Sequence, residues 1–146
     1  MERRGSLRVF VYGTLKRGER FHDRYCRGAL SIVSATVRGR LSFLPAGYPV
    51  LDVPPEAILA RGSADPAADA ARLDDLERGL VTSGSWPEVA GELMPFDDPA
   101  SRLPSLDRLE GYRPGAPSLY DRVALAVRVG NAGTRAAWVY VRGDRP

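Results

Sequence analysis

Val9-Phe10-Val11-Tyr12-Gly13-Thr14-Leu15-Lys16-Arg17-Gly18 begins as a strand and ends as a loop. The run Leu7–Val11 is continuously apolar and β-rich apart from Arg8, the pattern of a strand buried on both faces. It breaks at Gly13, passes polar and basic residues, and meets a second glycine at Gly18. Gly13 has no Cβ, so a ligand can approach its backbone closely and a positive φ is allowed there. Successive N–H groups in such a loop can form an anion-binding concavity. The glycine spacing is not that of a dinucleotide-binding turn. No Gly-Lys-Ser/Thr follows, so it is not a P-loop either.

Outward from this stretch, 146 residues are enough for one domain to bury a core without staples. The 44% apolar and 27% charged content is globular rather than disordered. No apolar run approaches the roughly 20 residues of a membrane span. The charged N-terminus lacks a signal-peptide pattern. The single Cys26 can form no internal disulfide, which makes a cytoplasmic protein the expectation. Net charge is +3, carried almost wholly by arginine because Lys16 is the only lysine. The arginines alternate with acids, as in Arg72-Leu73-Asp74-Asp75-Leu76-Glu77-Arg78, and form no basic stripe with interleaved aromatics. Nucleic-acid binding is therefore disfavoured.

The rest of the chain reads as short strands with few helices. Residues 19–26 suggest a helical turn. His22 and Cys26 lie on one face of it, but with one histidine and one cysteine in the chain they cannot assemble a metal site of three or four ligands. Residues 29–43 are extended, with a bend at Gly39. Residues 44–51 are a turn and a short strand, and Tyr48-Pro49 there either lines a pocket or caps a core. Residues 57–61 suggest another strand. Residues 67–80 suggest a helix whose Leu73, Leu76 and Leu80 face inward and whose acids and arginines are solvated. Residues 88–96 are a strand. Asp98-Pro99 is a helix start, but Pro104 is expected to confine the helix to about 105–110, with Gly111 and Pro114 ending it. Residues 119–129 and 134–141 form a hairpin across residues 130–133. Its second strand places Ala136, Trp138 and Tyr140 on one face and Ala137, Val139 and Val141 on the other. The expected fold is α+β, a small mixed or antiparallel β-barrel with a few short flanking helices.

Glu110 is the acid that stands out, at the end of an apolar helical turn in Leu106-Asp107-Arg108-Leu109-Glu110-Gly111-Tyr112. In an apolar pocket its pKa would rise and make it a usable general base or acid, and Asp107 would push the same way. Taken by itself, the pattern reads more simply as an exposed glutamate ending an amphipathic helix.

A resemblance reverses that preference. Val11 to Gly18, Tyr48-Pro49, Val89-Ala90-Gly91-Glu92-Leu93, Leu106 to Tyr112, Tyr120-Asp121-Arg122-Val123 and Ala137-Trp138-Val139-Tyr140 follow one another as in the gamma-glutamylcyclotransferase-like family. The branch they resemble includes the gamma-glutamylamine cyclotransferases. The resemblance covers residues 1–146 as a single domain, apart from 62–87, which looks like an inserted helix and loop. It implies a barrel with a central cavity, in which the backbone of Tyr12, Gly13, Thr14 and Leu15 holds the glutamyl α-carboxylate and α-amine. It implies Glu110 as the catalytic acid/base and Tyr120 as a pocket residue, with Arg122 as readily a structural ion-pair partner.

The activity implied is release of 5-oxoproline from a gamma-glutamyl amine or amino acid, by attack of the substrate's own α-amine on its γ-carbonyl. That reaction brings its own nucleophile and asks for no metal or cofactor, only a proton carrier and a loop that orients the chain. The expected partner is a small gamma-glutamyl molecule, with neither nucleic acid nor membrane. The alternative is a non-catalytic gamma-glutamyl-binding module on the same fold. Phe21, Tyr48, Trp86 and Tyr112 are the candidates for lining the pocket beyond the γ-carbonyl.

Overall fold

A computed structural model describes residues 5–13, 18–19, 22–78, 80, 84–130 and 133–143. Strands β1 (Leu7–Val11), β2 (Val33–Arg38), β6 (Glu88–Phe96), β7 (Tyr120–Arg128) and β8 (Thr134–Arg142) form the main sheet, in the order β2-β6-β1-β8-β7. A pairing of Thr36 with Arg128 joins β2 to β7 and closes these five strands into a barrel. β5 (Ala60–Arg61) adds a short edge beside β7, and β3 (Arg40–Phe43) pairs with β4 (Pro49–Asp52) as a separate hairpin. All barrel pairings are antiparallel except β1 with β8, which meet in parallel at Val9 and Trp138.

The alternation of side chains divides the core in two, as a closed sheet requires. Phe10, Val37, Leu93, Val123, Leu125, Val127 and Val139 fill the interior. Leu7, Val9, Val11, Met94, Phe96, Trp138 and Tyr140 face outward, where the helices cover them with Ala70, Leu73, Leu103 and Leu106. These helices are α2 (Pro66–Leu76) and α3 (Pro99–Glu110), joined by one short turn, α1 (His22–Tyr25). The two faces expected of β8 are the two observed.

Three expectations change. α3 runs straight through Pro104, starting at Pro99. The proline forfeits one helical hydrogen bond, but Leu103 and Leu106 on either side are fully buried and hold the segment helical. Of residues 57–61 only the two of β5, Ala60 and Arg61, are strand; Ala57 ends a 3-10 turn that begins at Pro55. α2 ends at Leu76, short of residue 80. The carboxylate of Glu77 turns away there to accept from Ala136 N at 2.7 Å and to meet Arg135 at 2.9 Å and Arg8 at 3.0 Å. At the other end α2 is capped by Asp65, whose side chain accepts from Ala68 N, with Pro66 at the first helical position.

Candidate functional site

α3 stops in a left-handed Gly111 (φ 71°), with Tyr112 N–H bonded back to the Asp107 carbonyl. That stop fixes where Glu110 points. A buried charge network holds the same turn from the side. The Arg122 guanidinium, 1% exposed, meets Asp107 of α3 at 2.8 Å and Asp69 of α2 at 2.9 Å, and donates to the Ser63 carbonyl. Tyr140 of β8 donates to Asp107 at 2.7 Å, and the rings of Trp138 and Tyr112 lie beside the guanidinium. Arg122 is thus a structural ion-pair partner. Asp69 is not on a solvated face: it is 5% exposed, and its carboxylate also accepts from the Ser63 N–H and hydroxyl. Gly62 is required beside this network, because a Cβ there would come within 2.8 Å of the guanidinium carbon.

Next to this clamp opens a cavity of about 460 Å³. The end of β1 contributes Val11, Tyr12 and Gly13; the end of α3 contributes Arg108 to Gly111. The β3–β4 hairpin contributes Leu44, Tyr48 and Pro49, and the entry to β7 contributes Leu119 and Tyr120. Tyr12, Gly13, Glu110 and Tyr120, which are far apart in the chain, therefore share one wall-to-wall space. Thr14 and Leu15 lie outside the described residues, as does Phe21. Tyr48 lines the cavity. Trp86 lies in a different cleft with Arg38 and Glu56, under the Arg40 guanidinium, and Tyr112 is buried with its hydroxyl donating to the Gly62 carbonyl. Neither lines this cavity.

Glu110 is half-buried, and among the described residues its carboxylate accepts no hydrogen bond and forms no ion pair. Burial pushes its pKa from 4.5 up to about 7, and the Asp107 charge adds to the rise. The phenols around it are pushed up as well, first by burial and then by Glu110 itself, so Tyr12 and Tyr120 stay neutral donors. Both hydroxyls are used in framing the cavity: Tyr12 donates to the Tyr140 carbonyl, and Tyr120 to the Pro49 carbonyl at 2.8 Å. Gly13 is not in the left-handed region; that conformation belongs to Gly18 at φ 86°. Gly13 is needed for a close approach by protein, since a Cβ would come within 2.9 Å of Pro49 Cγ. Cys26 is buried, and its thiol is pushed up to about 12, so it is inert. Among the described residues no His, Cys, Asp and Glu side chains gather as a metal site, and no helix is long and apolar enough to cross a membrane.

The sequence left Arg122 open as a structural ion-pair partner, but Asp69 and Asp107 were not read as the acids it pairs with. The one available signal was Arg122 directly before the apolar run Val123–Val127, since an arginine carried into a core demands buried acids.

Barrel, clamp and cavity together define a small closed-barrel protein in which one half-buried carboxylate, Glu110, lines a space of small-molecule size. Residues 9–83 and 78–146 match the family model for gamma-glutamyl cyclotransferase, AIG2-like proteins, and the chain belongs to that family. No curated protein sequence matches it. Solved structures share the fold. YkqA from Bacillus subtilis superposes with a TM-score of 0.55 at 18% identity, over 94% of this chain but only 37% of that one. An AIG2-like protein from Mus musculus gives 0.51 at 24% identity, covering 93% of this chain and 76% of that one. Protein PH0828 from Pyrococcus horikoshii gives 0.51 at 17% identity, covering 97% and 81%. At these identities the likeness is one of fold, and the fold is of cyclotransferase type.

Proposed function

We propose that the protein releases 5-oxoproline from a gamma-glutamyl amine or gamma-glutamyl amino acid, with Glu110 as general acid and base. The observation that carries this reading is a half-buried carboxylate with a pKa of about 7, lacking a partner among the described residues, in the wall of a 460 Å³ cavity. The family match adds to it.

The substrate's α-ammonium has a pKa of roughly 8. A glutamate at 4.5 would have to take its proton uphill by about 3.5 units, whereas one at about 7 does so across about one. Each unit corresponds to about 1.4 kcal/mol, so raising the carboxylate brings the first proton transfer within easy reach. The freed nitrogen attacks the γ-carbonyl carbon, a tetrahedral oxyanion forms, and its collapse breaks the bond to the departing amine. Two protons leave the attacking nitrogen and two reach the departing one. Glu110 carries them in turn and ends as it began. The lactam forms neutral and the amine departs as an ammonium.

In this reading the Tyr12-Gly13-Thr14-Leu15 backbone orients the glutamyl carboxylate and amine, and Tyr120 closes the pocket at Pro49. The reaction belongs in the cytoplasm, in keeping with one buried cysteine. The test is 5-oxoproline release from a panel of gamma-glutamyl amines and amino acids by wild type and Glu110→Gln. Glu110→Gln is expected to lower kcat at least 1,000-fold, on the order of a missing general base and acid together. Equal release by both proteins would remove Glu110 from the mechanism. Binding of a gamma-glutamyl ligand without any turnover would make the protein a binding module.

A further inference from the structure

The cavity wall is chemically lopsided. Its described charged residues, Arg108 and Glu110, both sit on the last turn of α3. The wall contributed by the β3–β4 hairpin and the entry to β7 is Leu44, Tyr48, Pro49, Leu119 and Tyr120, with no charge. Arg142, whose charge also reaches Tyr120, is closed on Asp52 in a two-point pair, Nε to Oδ1 at 2.6 Å and Nη2 to Oδ2 at 3.2 Å.

The same wall continues outward as exposed apolar surface. Six large apolar side chains are exposed among the described residues, and three of them stand here: Phe43 (66%), Leu119 (52%) and Tyr48 (45%). Phe43 pairs across the hairpin with Pro49, so their side chains share a face, and Pro49 lines the cavity. Exposed apolar surface rimming a cavity marks a place where something apolar is held.

Resting on the cyclisation reading of the site, we propose that the departing amine carries an uncharged alkyl or aryl group, received by a collar of Phe43, Leu44, Tyr48 and Leu119. Among gamma-glutamyl amides, those of apolar amines are preferred over those whose departing amine carries a charge. The polar glutamyl head then lies at the α3–β1 side, next to Glu110, and the amine substituent runs out past the hairpin.

The experiment measures kcat/KM for 5-oxoproline release across gamma-glutamyl ethyl-, butyl-, hexyl- and benzylamides, with gamma-glutamyl-lysine and gamma-glutamyl-glutamate as charged comparisons. The same compounds are titrated calorimetrically into wild type. The collar predicts a rise of about fourfold per added methylene, the value of burying one CH2. It also predicts that Phe43→Ser and Leu119→Ser flatten the slope. Both side chains are exposed, so these changes remove no core packing. Turnover of the charged amides as fast as the alkyl series would overturn the collar and leave the cyclisation intact. If nothing turns over, the cyclisation fails, and calorimetry decides the collar: affinity rising along the alkyl series upholds it, and flat or absent binding ends it. Should the serine variants turn a dimer into a monomer in sedimentation and leave the slope unchanged, the collar is a contact between copies and the proposal is wrong.

Discussion

Glu110 is a residue that stability alone would not choose. A carboxyl whose folded pKa is raised holds its proton more tightly in the folded chain than in the unfolded one. Between 4.5 and about 7 folding therefore takes up a proton, stability falls as pH rises through that window, and the penalty is complete above it. Replacing the acid with neutral glutamine removes the penalty. Glu110→Gln should thus unfold later than wild type in urea at pH 8, by on the order of 1–3 kcal/mol, and by less than half as much at pH 5. A Gln variant less stable than wild type at pH 8 would mean that the carboxylate is held by favourable contacts and is not strained. On the proposed mechanism the same variant would be both more stable and inactive, the trade expected where an acid is kept for proton transfer.

At the scale of elements, the helices are held to the barrel by charge as well as by leucines. Arg122 on β7 binds Asp69 of α2 and Asp107 of α3 at once, and Asp107 lies one turn before Glu110. Arg122→Met would leave two acids buried without a counter-charge, a loss of about 3–5 kcal/mol in urea unfolding. Adding Asp69→Asn and Asp107→Asn should recover a good part of it, because the buried charge is then gone altogether. A single Arg122→Met variant within 1 kcal/mol of wild type would show that the clamp contributes nothing net, as some buried ion pairs do. This clamp also marks the boundary of what could be read in advance. The hairpin faces of β8, the strand Glu88–Phe96 and the stop at Gly111 were legible because period-two patterning and glycine caps are local signals. The partner of Asp69 lies 53 residues further along the chain, and nothing near Asp69 distinguishes a clamped acid from a solvated one. Pro104 misled in the same way: its local preference lost to the burial of Leu103 and Leu106, which only the assembled sheet supplies.

For the whole molecule, the barrel is what brings the loop after β1, the end of α3 and the entry to β7 to one place, and it depends on β6 pairing with β1 on one side and β2 on the other. Tyr12, Glu110 and Tyr120 could be singled out from the sequence, but the apolar wall of Leu44 and Leu119 could not, since it exists only once the barrel has closed and the hairpin has packed against Gly13. A tight point of that construction is Gly91, opposite Ala35 in the β2–β6 ladder. A Cβ there would run into the Val11 carbonyl and stand 2.5 Å from Phe10 Cζ. Neither can yield cheaply: the carbonyl is backbone, and Phe10 is 1% exposed in the barrel interior. Gly91→Ala therefore has to push the end of β1 outward, and Tyr12 and Gly13 follow directly. The expected loss is about 1–3 kcal/mol in urea unfolding, the usual range for overpacking, accompanied, on the proposed function, by a fall in gamma-glutamyl turnover even at temperatures where the variant is fully folded. Gly47→Ala serves as the comparison, since no atom lies within 4 Å of a Cβ there and only its φ of +91° resists the change. If Gly91→Ala loses no more stability than Gly47→Ala and keeps wild-type turnover, β1 and β6 can separate without disturbing the cavity, and the barrel is not what holds the site together.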